Sequence, residues 1–208
     1  CTEMSRWLAQ AGTTPPATDV WRALELCVEN ANHAILGASL SNPQYSGMGT
    51  TLVVGVFQCD RLILGHIGDS RCYRLRAGVL QQITRDHSWL QEQVDAGILT
   101  REQAAASSNR NLVTRALGVE PHVQMEVNEF QVAPGDLFVM CSDGLTDMVN
   151  DEELADLLRT PGSLEEKAGL LIDTANAHGG RDNVSVLLVQ AAAGGKKRSL
   201  MSRLLGSA

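Results

Sequence analysis

The apolar positions of this chain change their period several times. Val20, Leu24, Cys27, Val28, Ala31, Ile35 and Leu36 recur at three- and four-residue intervals, which predicts an amphipathic helix to about Ala38 with Asp19 as its cap. Upstream, Thr2 to Ala11 reads as another helix, set off by the loop Gly12 to Pro16. After a loop-like stretch from Ser39 to Gly49, the pattern turns to strands over Thr50 to Phe57, Leu62 to Ile67, Cys72 to Leu75 and Val79 to Ile83. Short turns at Gln58 to Arg61 and Ala77-Gly78 make two hairpins of them. Helical spacing returns from Ser88 to Ala106, with Leu90, Val94 and Ile98 on one stripe and Thr100 with Gln103 at capping-box spacing. Met125, Val127 and Phe130 mark a strand with a bulge where the alternation breaks, and Leu137 to Cys141 is a continuous apolar strand. Asn150 with Glu153 and Ser163 with Glu166 open two further helices, and Val184 to Val189 is the last core strand. Hairpins followed by grouped helices, with no internal repeat, place the chain in the α+β class rather than among βαβ folds.

Composition narrows the picture. A chain of 208 residues with 44% hydrophobic positions suits a single domain with a sizeable core. No apolar run is long enough to cross a bilayer. Seventeen Lys and Arg against 24 Asp and Glu give a net charge of −7, which argues against general nucleic-acid binding. Cys1, Cys27, Cys59, Cys72 and Cys141 are scattered without a Cys-x-x-Cys pair, so buried thiols in a reducing cytosol are expected rather than a disulfide framework. Residues 1–190 read as the folded domain. Residues 191–208 (AAAGGKKRSLMSRLLGSA) read as a short basic tail, either a frayed terminus or an amphipathic contact. The chain begins at Cys1 inside a helical pattern and carries no signal peptide, from which a missing N-terminal portion is expected.

Candidate chemistry collects in glycine-punctuated turns. Asp143 and Asp147 lie in Ser142-Asp143-Gly144-Leu145-Thr146-Asp147, directly after the apolar run ending at Cys141. Asp182 lies in Gly179-Gly180-Arg181-Asp182-Asn183, just before the last strand, and Asp69 follows Ile67 in Gly68-Asp69-Ser70-Arg71. Hard divalent cations take oxygen ligands, so aspartates at strand ends are candidate ligands. Aspartate beside glycine also makes Asx turns and helix caps, and spacing alone does not choose between the two.

The order and wording of these segments resemble the metal-dependent serine/threonine protein phosphatases of the PP2C (PPM) family, bacterial members above all. The matching runs are Gly47-Met48-Gly49-Thr50-Thr51, His66 to Arg71, Arg85-Asp86-His87-Ser88, Asn111 to Gly118, Ser142 to Asp147 and Gly179 to Ser185. The resemblance covers about Gly47 to Gln190. It implies an α-β-β-α sandwich of two mainly antiparallel sheets flanked by helices, and hydrolysis of phosphoserine and phosphothreonine in proteins by a metal-activated water. By resemblance Asp143 and Asp182 are ligands of a binuclear Mn²⁺ or Mg²⁺ centre, and Asp69 and Asp147 belong to a third metal site. Arg71 and Arg115 have the chemistry to fork onto phosphate, but the family pattern favours structural roles for both. His87 has two readings, general acid or loop hydrogen-bonding residue, of which the family pattern favours the second. Ser70 and Ser142 have no base partner in the pattern and are not expected to be nucleophiles. Residues 88–110 match the family's flap beside the active site.

The chain departs from the family at one point. The Arg-x-x-Asn-Glu-Asp and Asp-Gly-Met-Gly-Gly segments, which carry the phosphate-binding arginine and the bridging aspartate, are not found ahead of Gly47. The first strands of the sandwich are expected to be missing with them, leaving this chain weakly active or inactive alone. The alternative is a non-catalytic PP2C-like binding module in a signalling complex. The resemblance further implies a cytoplasmic monomer that acts on phosphoproteins made by a cognate Ser/Thr kinase.

Overall fold

The computed structural model describes residues 2–11, 15–58, 60–105, 107 and 112–192. Cys1, Cys59, Asn111 and the tail from residue 193, on all of which the sequence carries expectations, lie outside the described residues.

In chain order the elements are α1 (Thr2–Gln10), α2 (Ala17–Ser41), a 3₁₀ turn (Pro43–Tyr45), β1 (Leu52–Gln58), β2 (Arg61–Ile67), β3 (Arg71–Arg76), β4 (Val79–Gln82), α3 (Trp89–Asp95), α4 (Arg101–Ala105), β5 (Glu126–Gln131), β6 (Leu137–Cys141), α5 (Asp143–Thr146), α6 (Asp151–Arg159), α7 (Leu164–Ala177) and β7 (Val186–Gln190). Two antiparallel sheets form, one ordered β1-β2-β5 and the other β4-β3-β6-β7.

Alternation along each strand sorts side chains between layers. On β2, Leu62 and Leu64 face the other sheet, while Ile63 meets Val20, Ala23 and Leu24 of α2. On β6, Phe138 and Met140 join the same inter-sheet layer, while Leu137, Val139 and Cys141 pack with Leu154, Leu158, Leu171 and Ala175 of α6 and α7. The order of layers is therefore α1/α2, sheet, sheet, α6/α7. Both faces of β6 are covered, which is why Leu-Phe-Val-Met-Cys is buried at all five positions. The α+β sandwich expected from the sequence is the fold observed.

Several local expectations need correction. Pro16 takes the N-cap position of α2 and Asp19 sits inside its first turn, since the fixed φ of proline suits the chain entering a helix. That helix runs three residues past Ala38, to Ser41. The single helix expected over 88–106 is two short ones. Gly97 takes a φ of +70° after α3, and Thr100 and Gln103 then exchange backbone and side-chain hydrogen bonds that open α4. The apolar stripe stops at the break: Leu90 is buried, but Ile98 is 66% exposed. No bulge interrupts β5, whose pairing with β2 runs without a gap from Arg61↔Gln131 to His66↔Glu126. Ser163 and Glu166 form a full capping box on α7, whereas Asn150 caps α6 by accepting from the Glu153 N–H at 3.0 Å.

Candidate metal centre

Three loops at one end of the sandwich deliver the aspartates. The first leaves β6. Ser142 is extended, and the chain then turns into the four-residue α5 with Asp143 at its start and Asp147 just past its end. The Asp147 N–H donates to the Asp143 carbonyl at 2.8 Å, so the i, i+4 spacing closes one turn and sets both on the same side. The Asp143 carboxylate accepts from the Gly144 N–H at 2.9 Å.

The second loop brings Asp182 to β7, and Ser142 joins it to the first. The Ser142 hydroxyl donates to the Asn183 carbonyl at 3.1 Å and accepts from the Ser185 N–H at 3.0 Å. Its own N–H donates to the Ser185 carbonyl at 3.1 Å. Gly144 lets the loops touch: a Cβ there would stand 2.4 Å from the Asn183 carbonyl oxygen. The serine of this motif thus acts as a staple, with every polar atom committed to backbone.

The third loop carries Asp69 between β2 and β3. Gly68 has a φ of +97°, a conformation that side-chain-bearing residues rarely adopt. It is clamped by His87, whose N–H donates to the Gly68 carbonyl at 3.0 Å and whose Nδ1 accepts from the Gly68 N–H at 3.1 Å. His87 in turn stacks on buried His66, with ring centroids 4.6 Å apart. Its Nε2 lies 3.2 Å from the Arg115 guanidinium and 3.5 Å from Glu126. Burial first, then the charge of Arg115, lowers the His87 pKa to about 4, so the ring is neutral and serves as a loop hydrogen-bonding group.

Asp69, Asp143 and Asp147 line an open cleft of about 520 Å³, together with Asp86, Asp151 and Asp95. Leu90, Gln91 and Val94 of α3 and Ala104 of α4 form its other side, where the family's flap is expected. Asp182 is outside the cleft wall, close enough to Asp143 for its charge to act there. Burial, reinforced by the Asp143 charge, pushes Asp69 up to about 6. Burial raises Asp143 as well, with Asp182 and Asp147 adding to the effect. Asp69, Asp147 and Asp182 therefore all lie near enough to Asp143 for charge to act between them.

Neither arginine of the sequence analysis is free to neutralise them. Arg71 binds Asp86 through Nε and Nη2, the shortest contact 2.6 Å, and donates from Nη1 to the Tyr73 hydroxyl at 3.1 Å. Tyr73 passes the chain on to Asp151 at 3.0 Å. Arg115 donates to the Gln124 carbonyl at 3.1 Å, away from the aspartates. Asp69 and Asp143, both raised by burial and by neighbouring carboxylates, sit among oxygen donors of the kind a divalent metal takes. Among the described residues, no hydrogen bond or salt bridge from a Lys or Arg side chain reaches Asp69, Asp143, Asp147 or Asp182. Asp86 and Asp151 were missed as cleft residues. Asp86 stood within a quoted motif, but nothing in the spacing marked Asp151, which reaches the cleft from the first turn of α6.

Known proteins resemble this chain in sequence and fold. Residues 31–192 match the family described as Stage II sporulation protein E (SpoIIE). The chain is 37% identical over 177 residues to the serine/threonine phosphatase stp of Listeria monocytogenes, covering 85% of this chain and 69% of that protein. It is 41% identical over 184 residues to the serine/threonine protein phosphatase PstP of Mycobacterium tuberculosis, covering 87% of this chain and 35% of that protein. The crystal structure of M. tuberculosis PstP superposes with a TM-score of 0.82 at 38% identity, over 92% of this chain and 80% of that one. The PstP catalytic domain solved with two manganese ions gives a TM-score of 0.78 at 37% identity, with the same two coverages. By fold and by these likenesses, the chain belongs to the PP2C-type serine/threonine protein phosphatases.

Proposed function

We propose that the protein containing this chain hydrolyses phosphoserine and phosphothreonine in proteins, with Asp143, Asp182, Asp147 and Asp69 holding Mn²⁺ or Mg²⁺. The carrying observation is that Asp69, Asp143 and Asp147 line one cleft, with Asp182 near enough for its charge to act on Asp143. Asp143 and Asp182 would hold the binuclear centre, and Asp69 and Asp147 would belong to a third metal site. When bound, the cations supply charge stabilisation for phosphoryl oxygens and activation of water at neutral pH. The chain's own residues hold positions. Ser142 fixes the Asp182 loop against Asp143, and His87 fixes Gly68 and so Asp69. Arg71 is occupied by Asp86 and does not clamp phosphate. The bridging aspartate and phosphate-binding arginine of the family pattern are not among the 208 residues, so this chain alone turns over weakly.

The substrates are phosphoproteins made by a Ser/Thr kinase. We read the protein as a monomer in the cytoplasm, the compartment being supported by Cys27, Cys72 and Cys141 being free thiols. Among the described residues no helix is long and apolar enough to cross a membrane.

Calorimetric titration of the chain with Mn²⁺, paired with phosphothreonine-peptide hydrolysis, tests the proposal. Binding should be present in the wild type and lost in Asp143→Asn, with turnover far below that of a family member carrying the Asp-Gly-Met-Gly-Gly segment. Mn²⁺ binding indifferent to Asp143→Asn would sink the ligand assignment. Robust turnover by the chain itself would overturn the expectation of weak activity.

A further inference from the structure

Two groups of three metal-capable side chains lie outside the aspartate set, each with donor atoms within 4.8 Å of one another. The buried group is His66, His87 and Glu126. Its rings are only 18° from parallel, and imidazole lone pairs lie in the ring plane. Stacked rings present parallel lone pairs that cannot converge on one ion at the roughly 2.0–2.1 Å that Zn–N bonds require. The Arg115 guanidinium, 3.2 Å from His87 Nε2, adds positive charge where the ion would sit. This group is a hydrogen-bonded support for Gly68.

The exposed group, Glu29, His33 and His122, has the opposite geometry. Glu29 and His33 are four residues apart on α2 and so share one face. The His33 and His122 rings are inclined at 67° with centroids 6.4 Å apart, so their planes intersect rather than run parallel, and their donor atoms lie within 4.8 Å of each other and of the Glu29 carboxylate. The loop bearing His122 is fixed by Asn32, next to His33 and only 1% exposed. Asn32 Oδ1 accepts from the Gly118 N–H at 2.7 Å, and its Nδ2 donates to the Glu120 and Pro121 carbonyls at 2.9 and 3.3 Å. A buried amide thus holds the third donor against the helix that carries the other two. Among the described residues, no hydrogen bond or ion pair engages the side chains of Glu29, His33 or His122.

We propose that Glu29, His33 and His122 form a second metal site, selective for a borderline transition-metal dication such as Zn²⁺, that clamps α2 to the 118–122 loop. Two imidazoles and one carboxylate suit Zn²⁺, with solvent in the fourth position, whereas the all-oxygen aspartate set suits Mg²⁺ or Mn²⁺. The two sites share no residue. Leu117 at the foot of the loop packs with Val28 of α2 and Ile67 of β2, and pairs with Thr50. The ion therefore fastens the outer helix layer to its sheet and raises resistance to unfolding.

Calorimetric titration of the whole chain with ZnCl₂ at neutral pH, in the wild type, Asp143→Asn, His33→Ala and His122→Ala, tests the site. Thermal melts and Co²⁺ absorption spectra serve as parallel readouts. Changes behind a metal ligand already cost about 10–100-fold in affinity, so losing a ligand should cost at least about a hundredfold. The wild type and Asp143→Asn should both bind Zn²⁺ tightly and melt later with it. Both histidine variants should lose the tight site, the melting shift and the Co²⁺ band while keeping their circular dichroism, since both side chains are exposed. Zn²⁺ affinity and melting shift unchanged in the histidine variants, or no tight Zn²⁺ site in the wild type, would overturn the proposal.

Discussion

Replacing Gly144 with Ala tests the idea that two loops must touch to build the metal centre. Gly144 lies inside α5 with no positive φ, so its backbone suits alanine. In an unobstructed helix, Gly→Ala would stabilise by up to about 1 kcal/mol. Here the new Cβ would meet the Asn183 carbonyl oxygen at 2.4 Å and its carbon at 3.0 Å, both backbone atoms that cannot swing aside. Ordinary contact begins near 3.4 Å, so the Asp182 loop must retreat by about 1 Å from Asp143. Overpacking of this kind costs about 1–3 kcal/mol, leaving a net loss of up to about 2 kcal/mol after the full helix gain. For a domain of this size that is a fall of up to about 8 °C in Tm. Because the displaced loop carries the proposed ligand Asp182, Mn²⁺ affinity should fall by about 10–100-fold, as it does when supports behind a ligand are lost. Differential scanning calorimetry and Mn²⁺ titration read the two effects. The sign decides: a Gly144→Ala protein that melts at or above the wild type with unchanged Mn²⁺ affinity refutes the contact argument.

Ser142→Ala removes both bonds of the staple, exposing the Asn183 carbonyl and Ser185 N–H, and should cost about 1–2 kcal/mol in urea unfolding with a clear loss of Mn²⁺ affinity. A loss of stability without any loss of Mn²⁺ affinity would show that Ser142 does not position Asp182. His87 takes a proton near pH 6.5 in the unfolded chain but only near 4 in the fold, so acidification favours unfolding. Its contribution is intact above about pH 6.5 and falls by at most about 3 kcal/mol on the way to pH 4. Urea midpoints across that window should flatten in His87→Gln relative to the wild type, and an identical slope would contradict the assignment. Burial pushes the Cys72 and Cys141 thiols up to about 12, so both should resist Ellman's reagent until the protein unfolds. Mass mapping that finds either one modified in the native state would contradict their placement in the core.

Much of the architecture was legible because it follows from period and punctuation. The run Leu137–Cys141 stands out as a strand wherever it packs, and Ala77-Gly78 marks a hairpin because the φ values there, +49° and +79°, suit a tight turn. The break between α3 and α4 was written in Gly97 and in the Thr100–Gln103 pair, but the apolar stripe through Ile98 outweighed them. That stripe failed because Ile98 has no facing layer and stays in solvent.

The sequence by itself determined the residue types of the site: carboxylates beside glycines at the ends of apolar strands, in an order that marks the family. That much is local, since turn chemistry and strand period act over a few residues. Tertiary structure alone decided which charges meet. Asp69 and Asp143 become neighbours because β3 pairs with β6, setting the two loops side by side at one sheet end. Arg71 is withdrawn from phosphate chemistry because Asp86, fifteen residues on, captures its guanidinium. Two His/Glu groups of the same composition part ways because one pair of rings stacks and the other is splayed. Electrostatics and ligand geometry depend on distance and direction in space, and those are set by packing rather than by spacing along the chain.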